Sequence, residues 1–356
     1  MGESERDFII IGQGLAGTTL AWQLHRRGFR VLVVDRESGT SSSRIAAGLI
    51  TPVTGKRLAK SWRLEEVYPA AVAFYRWVEA RTNVAFFQQR PSLRLFQDEA
   101  ERDEFHRRST GVLAGLVRHP DSPINSDWFN ASFGGFEMPT AARLDVSRYL
   151  DVSRTYFQQR NDYLHTDIDP GADREIATDS LFIPRFGFKG RAVIFCRGFD
   201  PAADPWFGSI RFNAAKGEIL TLRIPELRED RIVHRGVWLA PVGRDIYRAG
   251  STYVWDDLQP EPTASGRAEI EARLREFLRV PFEVIGQQAA VRPVIDAGYP
   301  VLGVHPEYPQ VAYFNGLGSK GSLLAPFFAD QLASCLMRER QPDPEVDVRK
   351  FLGKSN

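Results

Sequence analysis

Cysteine is nearly absent from this chain of 356 residues: Cys196 and Cys335 stand alone, with no CxxC pair and no metal-ligand spacing. That excludes a disulfide-stapled fold or a zinc module and fits a reducing compartment. Net charge is equally scarce. The 46 Lys and Arg against 45 Asp and Glu leave a formal charge of +1, so no global field draws the protein to nucleic acid or a membrane surface. A long apolar run is missing too, since the stretch from Leu323 to Met337 is short for a membrane span and contains Asp330. The first residues, Met1 to Asp7, are polar and lead straight into an apolar run, so no signal peptide is expected. Neither an internal repeat nor a Ser/His/Asp set, a metal cluster or a pair of catalytic acids stands out. A soluble cytoplasmic protein is the expectation, at a length natural for two domains.

Glycine and apolar runs carry the positive signal. Phe8-Ile9-Ile10-Ile11 reads as a buried parallel strand, and Gly12-Gln13-Gly14-Leu15-Ala16-Gly17 turns it into a helix that ends near Gly28. Gly12 permits the tight turn, Gly14 lets a pyrophosphate approach the backbone, and Gly17 lets helix and strand pack closely. The anion would meet free N–H groups at the positive end of the helix dipole. A second apolar run, Val31 to Val34, ends in Asp35, at the distance where an acid accepts hydrogen bonds from a ribose. This arrangement predicts dinucleotide binding, with Leu15, Ala16 and Arg36 beside the same ligand.

Further along, Val67, Ala70, Ala71, Phe74, Trp77 and Val78 share one face of a predicted helix whose first turn is the natural place for Pro69. Val84 to Leu144 and Gly217 to Val254 are rich in short strand-like runs. Ala192 to Gly198 and Val311 to Gly316 again read as buried strands stopping at glycine, and the second leads through Leu317-Gly318-Ser319-Lys320-Gly321 into an apolar helix. Buried strands scattered along the chain predict a nucleotide-binding domain assembled from separated segments with a second domain inserted. We place the first in 1–83, 145–216 and 286–356, and the second in 84–144 and 217–285.

Four stretches in this order resemble the D-amino-acid oxidase superfamily of flavoproteins, in its glycine oxidase and sarcosine oxidase branch. They are the N-terminal fingerprint with Asp35; Ser42-Ser43-Arg44-Ile45-Ala46-Ala47-Gly48-Leu49; Lys216-Gly217-Glu218-Ile219-Leu220 with Trp238-Leu239-Ala240-Pro241 and Ala249-Gly250-Ser251-Thr252; and Ala290-Val291-Arg292-Pro293 with Tyr299-Pro300-Val301-Leu302-Gly303 and the loop Asn315 to Gly321. The resemblance implies an α/β fold, with a Rossmann-like FAD-binding domain and an inserted mixed or antiparallel sheet that covers the substrate.

It also implies roles. Gly12, Gly14 and Gly17 would hold the pyrophosphate of FAD and Asp35 its ribose, with Gly198 at the end of a neighbouring strand. Ser43, Arg44, Ala46, Ala47, Gly48 and Leu49 would line the flavin ring, and Gly316, Gly318, Ser319, Lys320 and Gly321 would approach its pyrimidine end. Arg292 matches the family's carboxylate-binding arginine, whose two parallel donors fix a substrate's direction. Trp238 and Tyr253 would line the substrate side, Trp238 standing where a tyrosine is common. Lys320 would place a cation by the ring. Arg248 falls near a strand position that holds an oxygen-activating lysine in sarcosine-oxidase relatives. With no cysteine near Arg292-Pro293, the flavin is expected to be non-covalent.

The implied chemistry is oxidation of a C–N bond of an amino acid or secondary amine, with hydride passing to FAD and oxygen or another acceptor taking the electrons. Two alternatives stand beside it: oxidase-type modification of a tRNA wobble uridine, which the balanced charge argues against, and flavin binding without catalysis.

Overall fold

The computed structural model describes residues 4–168, 175–176, 181–183, 188–200 and 204–352. Its first sheet has eight strands. Tyr163–His165, Val31–Asp35, Ser4–Ile11 and Phe188–Phe195 lie side by side, all parallel. On its other edge Phe188–Phe195 pairs in parallel with Val311–Asn315 and, nearer its start, antiparallel with Leu181–Ile183. Glu175–Ile176 and Val301–Val304 complete the sheet, each antiparallel to its neighbour.

Apolar runs form these strands because both faces are covered. Phe8, Ile10, Val31 and Val33 face the helices Leu15–Arg26, Leu64–Thr82, Val146–Gln158 and Gly321–Leu336, while Ile9, Ile11, Leu32 and Val34 pack on Trp206, Phe207 and Ile210. Trp22 is wholly buried on the helical side, its indole N–H donating to Ser153 Oγ at 2.8 Å. Each large side chain so buried contributes about 2 kcal/mol through the apolar area it removes from water. Pro69 is the sixth residue of its helix, one turn deeper than expected.

The second sheet has seven strands, in the order Glu283–Arg292, Ala215–Arg223, Ile246–Gly250, Val237–Pro241, Ile232–Arg235, Ser92–Leu95 and Gly135–Met138. Every pairing is antiparallel except that of Ile232–Arg235 with Ser92–Leu95. The chain crosses between the sheets repeatedly, and the boundaries expected after residues 216 and 285 fall inside strands of this sheet.

Alternation sorts the two faces of the second sheet. Leu220, Leu222, Leu239 and Ala249 pack under Ile270 and Leu274 of the helix Ala264–Arg275. Ile219, Ala290 and Trp238 turn the other way and meet Ile45, which comes from the first lobe. Three short strands, Leu49–Ile50, Phe87–Gln89 and Ala142–Leu144, fasten the segment after Ile45 in place. Among the described residues no helix is long and apolar enough to cross a membrane.

Candidate functional site

One elongated cavity of about 670 Å³ runs between the two sheets. Its first end is built by close backbone packing at the strand–helix turn. Gly12 has φ +106°, and a Cβ there would lie 2.4 Å from the Cys196 carbonyl oxygen. A Cβ on Gly17 would lie 1.9 Å from the carbonyl oxygen of Gly12. Any larger side chain would therefore push the helix off the strand.

Asp35 braces this turn. Its carboxylate accepts from the backbone N–H of Gln13 at 2.6 Å and from that of Glu37 at 2.7 Å. The same cavity end is lined by Arg36, Thr166, Asp167, Ile168, Gly198 and Asp200. Asp200 accepts from Arg197 at 2.6 Å and pairs with Arg36 at 3.2 Å. Thr166 to Ile168 and Asp200 escaped sequence reasoning, because nothing in their spacing marks them.

Gly14, Leu15, Ala16, Ser43, Arg44, Ala46, Ala47, Gly48 and Leu49 line the middle of the cavity. Ser43 sits deeper than a ring-facing role implies: its Oγ accepts from the Leu15 N–H at 3.0 Å, at the start of the helix. The Arg44 guanidinium reaches Asp151 at 2.8 Å. Gly318, Ser319 and Gly321 approach from the last strand–helix junction.

Four expected residues do not line the cavity. Gly17 lies beneath the turn, and Gly316 is packed against Ile295. Arg248 turns to the outside of the ring-facing segment, donating to the Ile45 carbonyl at 2.6 Å and the Ala46 carbonyl at 3.3 Å. Burial, with Arg143 nearby, lowers its pKa from the usual guanidinium value. Lys320 is half-buried and donates to Thr54 Oγ1 at 3.3 Å, and desolvation lowers its pKa. These two cations thus hold neighbouring segments in the structure.

The second end of the cavity belongs to Trp238, Ser251, Tyr253, Ala290 and Arg292. Arg292 closes its strand and donates from Nη2 to Ser251 Oγ at 2.6 Å and to the Thr252 carbonyl at 3.2 Å. Its Nη1 reaches the Lys216 carbonyl at 3.3 Å. The Tyr253 ring covers the guanidinium, 4.1 Å from centroid to Cζ. Gly217 makes the room, since a Cβ there would fall 1.9 Å from Nη2. Burial lowers the pKa of Arg292, yet a guanidinium starts so high that it keeps its charge. A fixed cation with part of its donor set unused therefore faces the cavity, among apolar walls. Ser251 belongs to one of the stretches singled out in the sequence, but its bond to Arg292 is seen only in the structure.

Comparison with known proteins bears on this arrangement. A family model described as "FAD dependent oxidoreductase" (DAO) matches residues 7–335. The chain is 25% identical to the tRNA 5-methylaminomethyl-2-thiouridine biosynthesis bifunctional protein of Marinobacter nauticus, an alignment covering 93% of this chain and 55% of that one. It thus spans about half the length of that relative. Against the putative thiamine biosynthesis oxidoreductase of Rhizobium etli it is 25% identical over 95% of its own length and 98% of the relative's. Among solved structures, glycine oxidase from Bacillus cereus superposes with a TM-score of 0.77 at 18% identity, covering 94% of this chain and 96% of that one. Iminodiacetate oxidase from Chelativorans gives 0.70 at 19%, covering 95% and 97%. These likenesses show a shared fold.

Proposed function

We propose that this chain, which belongs to the DAO family of FAD dependent oxidoreductases, oxidises the C–N bond of an amino acid or secondary amine. FAD dependence follows from the family, and the residues present fit the group. The cavity leads from Asp35 past the side-chain-free Gly14 and the helix start to the small-residue segment Ala46 to Gly48. Gly12, Gly14 and Gly17 would serve the pyrophosphate and Asp35 the ribose. Residues 46–49, with Gly318, Ser319 and Gly321, would lie against the ring. When bound, FAD supplies the hydride acceptor that no side chain can provide.

The observation that carries the proposal is Arg292, a half-buried guanidinium that lines the cavity and is held in place by Ser251 and two carbonyls. A substrate carboxylate paired there is held in direction as well as attracted, which brings one C–H bond repeatedly to the same place. Trp238 and Ala290 exclude water around it. In the proposed reaction the hydride would pass from that carbon to bound FAD as the amine nitrogen's lone pair forms the C=N bond, and water would then hydrolyse the imine to a carbonyl compound and an amine or ammonia. Oxygen or another acceptor takes the electrons. We read the flavin as non-covalent: burial pushes the Cys196 thiol far above its ordinary range and that of Cys335 up to about 11, so neither is a ready nucleophile.

Anaerobic addition of amino acids and N-alkyl amino acids to the FAD-loaded protein tests the reading. Bleaching of the yellow colour by an acid-bearing amine is expected. Failure of every amine to bleach tightly bound FAD would favour a non-catalytic flavoprotein instead. The relative named for tRNA 5-methylaminomethyl-2-thiouridine biosynthesis keeps a second reading in view, modification of a tRNA wobble uridine. Salt-sensitive binding of tRNA would support it.

A further inference from the structure

Two large aromatic side chains stand in water at the substrate end of the cavity. Tyr253 is 48% exposed and Trp255 58% exposed, with ring centroids 6.1 Å apart and planes inclined by 32°. The backbone between them is anchored. Val254 exchanges both backbone hydrogen bonds with Lys216, at 2.8 and 3.0 Å, in an isolated bridge just before a bend at residues 255 and 256.

The loop that follows is tied down. Lys216 Nζ donates to Asp257 at 2.7 Å, and Glu218 accepts from the N–H of Thr263 at 2.9 Å. One face of Tyr253 is spent on Arg292, 4.1 Å away, and the two rings neighbour each other but meet no third aromatic ring among the described residues. Isolated exposed apolar residues are ordinary, but a pair of neighbouring exposed rings, of which Tyr253 lines the ligand cavity, is suited to stacking.

We propose that Tyr253 and Trp255 form a subsite for a planar aromatic or heterocyclic group carried by the amine substrate beyond its reactive C–N bond. The substrate then has three parts: a carboxylate at Arg292, the oxidisable C–N bond in the cavity, and a ring lying on the aromatic pair at the mouth. This assignment rests on the reading of Arg292 given above. It makes small amines such as sarcosine incomplete substrates.

The test is titration of the FAD-loaded protein with N-benzylglycine, sarcosine and phenylacetate, the last having no C–N bond to oxidise. Binding is read from perturbation of flavin absorbance, and oxidation from anaerobic bleaching. N-benzylglycine is expected to bind roughly tenfold more tightly than sarcosine. Trp255→Ala should remove that advantage and weaken phenylacetate by a similar factor while moving sarcosine less than twofold, and Trp255→Phe should restore most of it. If Trp255→Ala changes all three ligands equally, or none, the subsite is overturned. If phenylacetate responds as expected and neither amine bleaches the flavin, the subsite stands and the amine-oxidising reading falls.

Discussion

The two ends of the cavity are made by different means. At the first end, backbone meets backbone: Gly12 against the Cys196 carbonyl, Gly17 against the Gly12 carbonyl, and the Gln13 N–H on Asp35. At the second, side chains converge from distant strands: Trp238, Ser251 and Tyr253 from one part of the sheet and Arg292 from its edge, with Gly217 leaving the space. Steric contact tolerates no exchange of residue type, so the first end is written in a short, regular spacing. Convergence of side chains can be achieved by many residues, and there the enzymes of one fold diverge.

That contrast can be broken, and the sharpest attempt is at Gly17. Gly17→Val should abolish FAD binding and much of the fold, an overpacking cost of about 3 kcal/mol or more. Colourless, poorly soluble protein is the expected result, checked by absorbance and thermal melting. Arg292→Ala is the counterpart at the other end. It should leave FAD content intact and lower kcat/KM for acid-bearing amines by about 2–4 kcal/mol, the cost of removing a partner from a desolvated charge pair. A near-normal value would show that the carboxylate binds elsewhere.

Gly217→Ala probes the same cation without altering it. The added methyl must displace the guanidinium, and a loss of about 1–3 kcal/mol in kcat/KM is expected with unchanged FAD affinity, measured by flavin titration. Asp35→Ala should do the reverse. It weakens FAD by about 1 kcal/mol through lost hydrogen bonds and leaves turnover at saturating FAD unchanged.

The last prediction concerns acid alone. His234, opposite Trp238 in the second sheet, is driven from its ordinary 6.5 down to about 3 by burial and then by the Arg94 guanidinium. Between those values the unfolded chain holds a proton that the folded one refuses. Stability should therefore fall as pH drops through that window, by up to about 1.4 kcal/mol per pH unit. Denaturant titrations of His234→Gln should show a shallower decline.

Legibility followed the same division. The strand–glycine–helix turn, Asp35 and both sheet types could be read from pattern and resemblance, because apolar periodicity and glycine spacing are enforced by packing at each position. Arg292 was legible only through its neighbour Pro293 and the likeness of that stretch to a family. Arg248 and Lys320 sit at expected places in the chain, yet their side chains turn to Ile45, Ala46 and Thr54, a choice of rotamer that no spacing encodes. Ser251 depended on a contact across 41 residues. The exposed pair at 253 and 255 became visible only in the structure, through the exposure of both rings and their 6.1 Å separation.

The interleaved connectivity also governs how the molecule comes into being. The opening helix, Leu15–Arg26, packs on Gly321–Leu336, which leaves the ribosome last among the helices of the first lobe. A nascent chain therefore exposes its cofactor fingerprint long before it can enclose anything, and a closed flavin site has to wait until Gly321–Leu336 has been made and has docked on the opening helix.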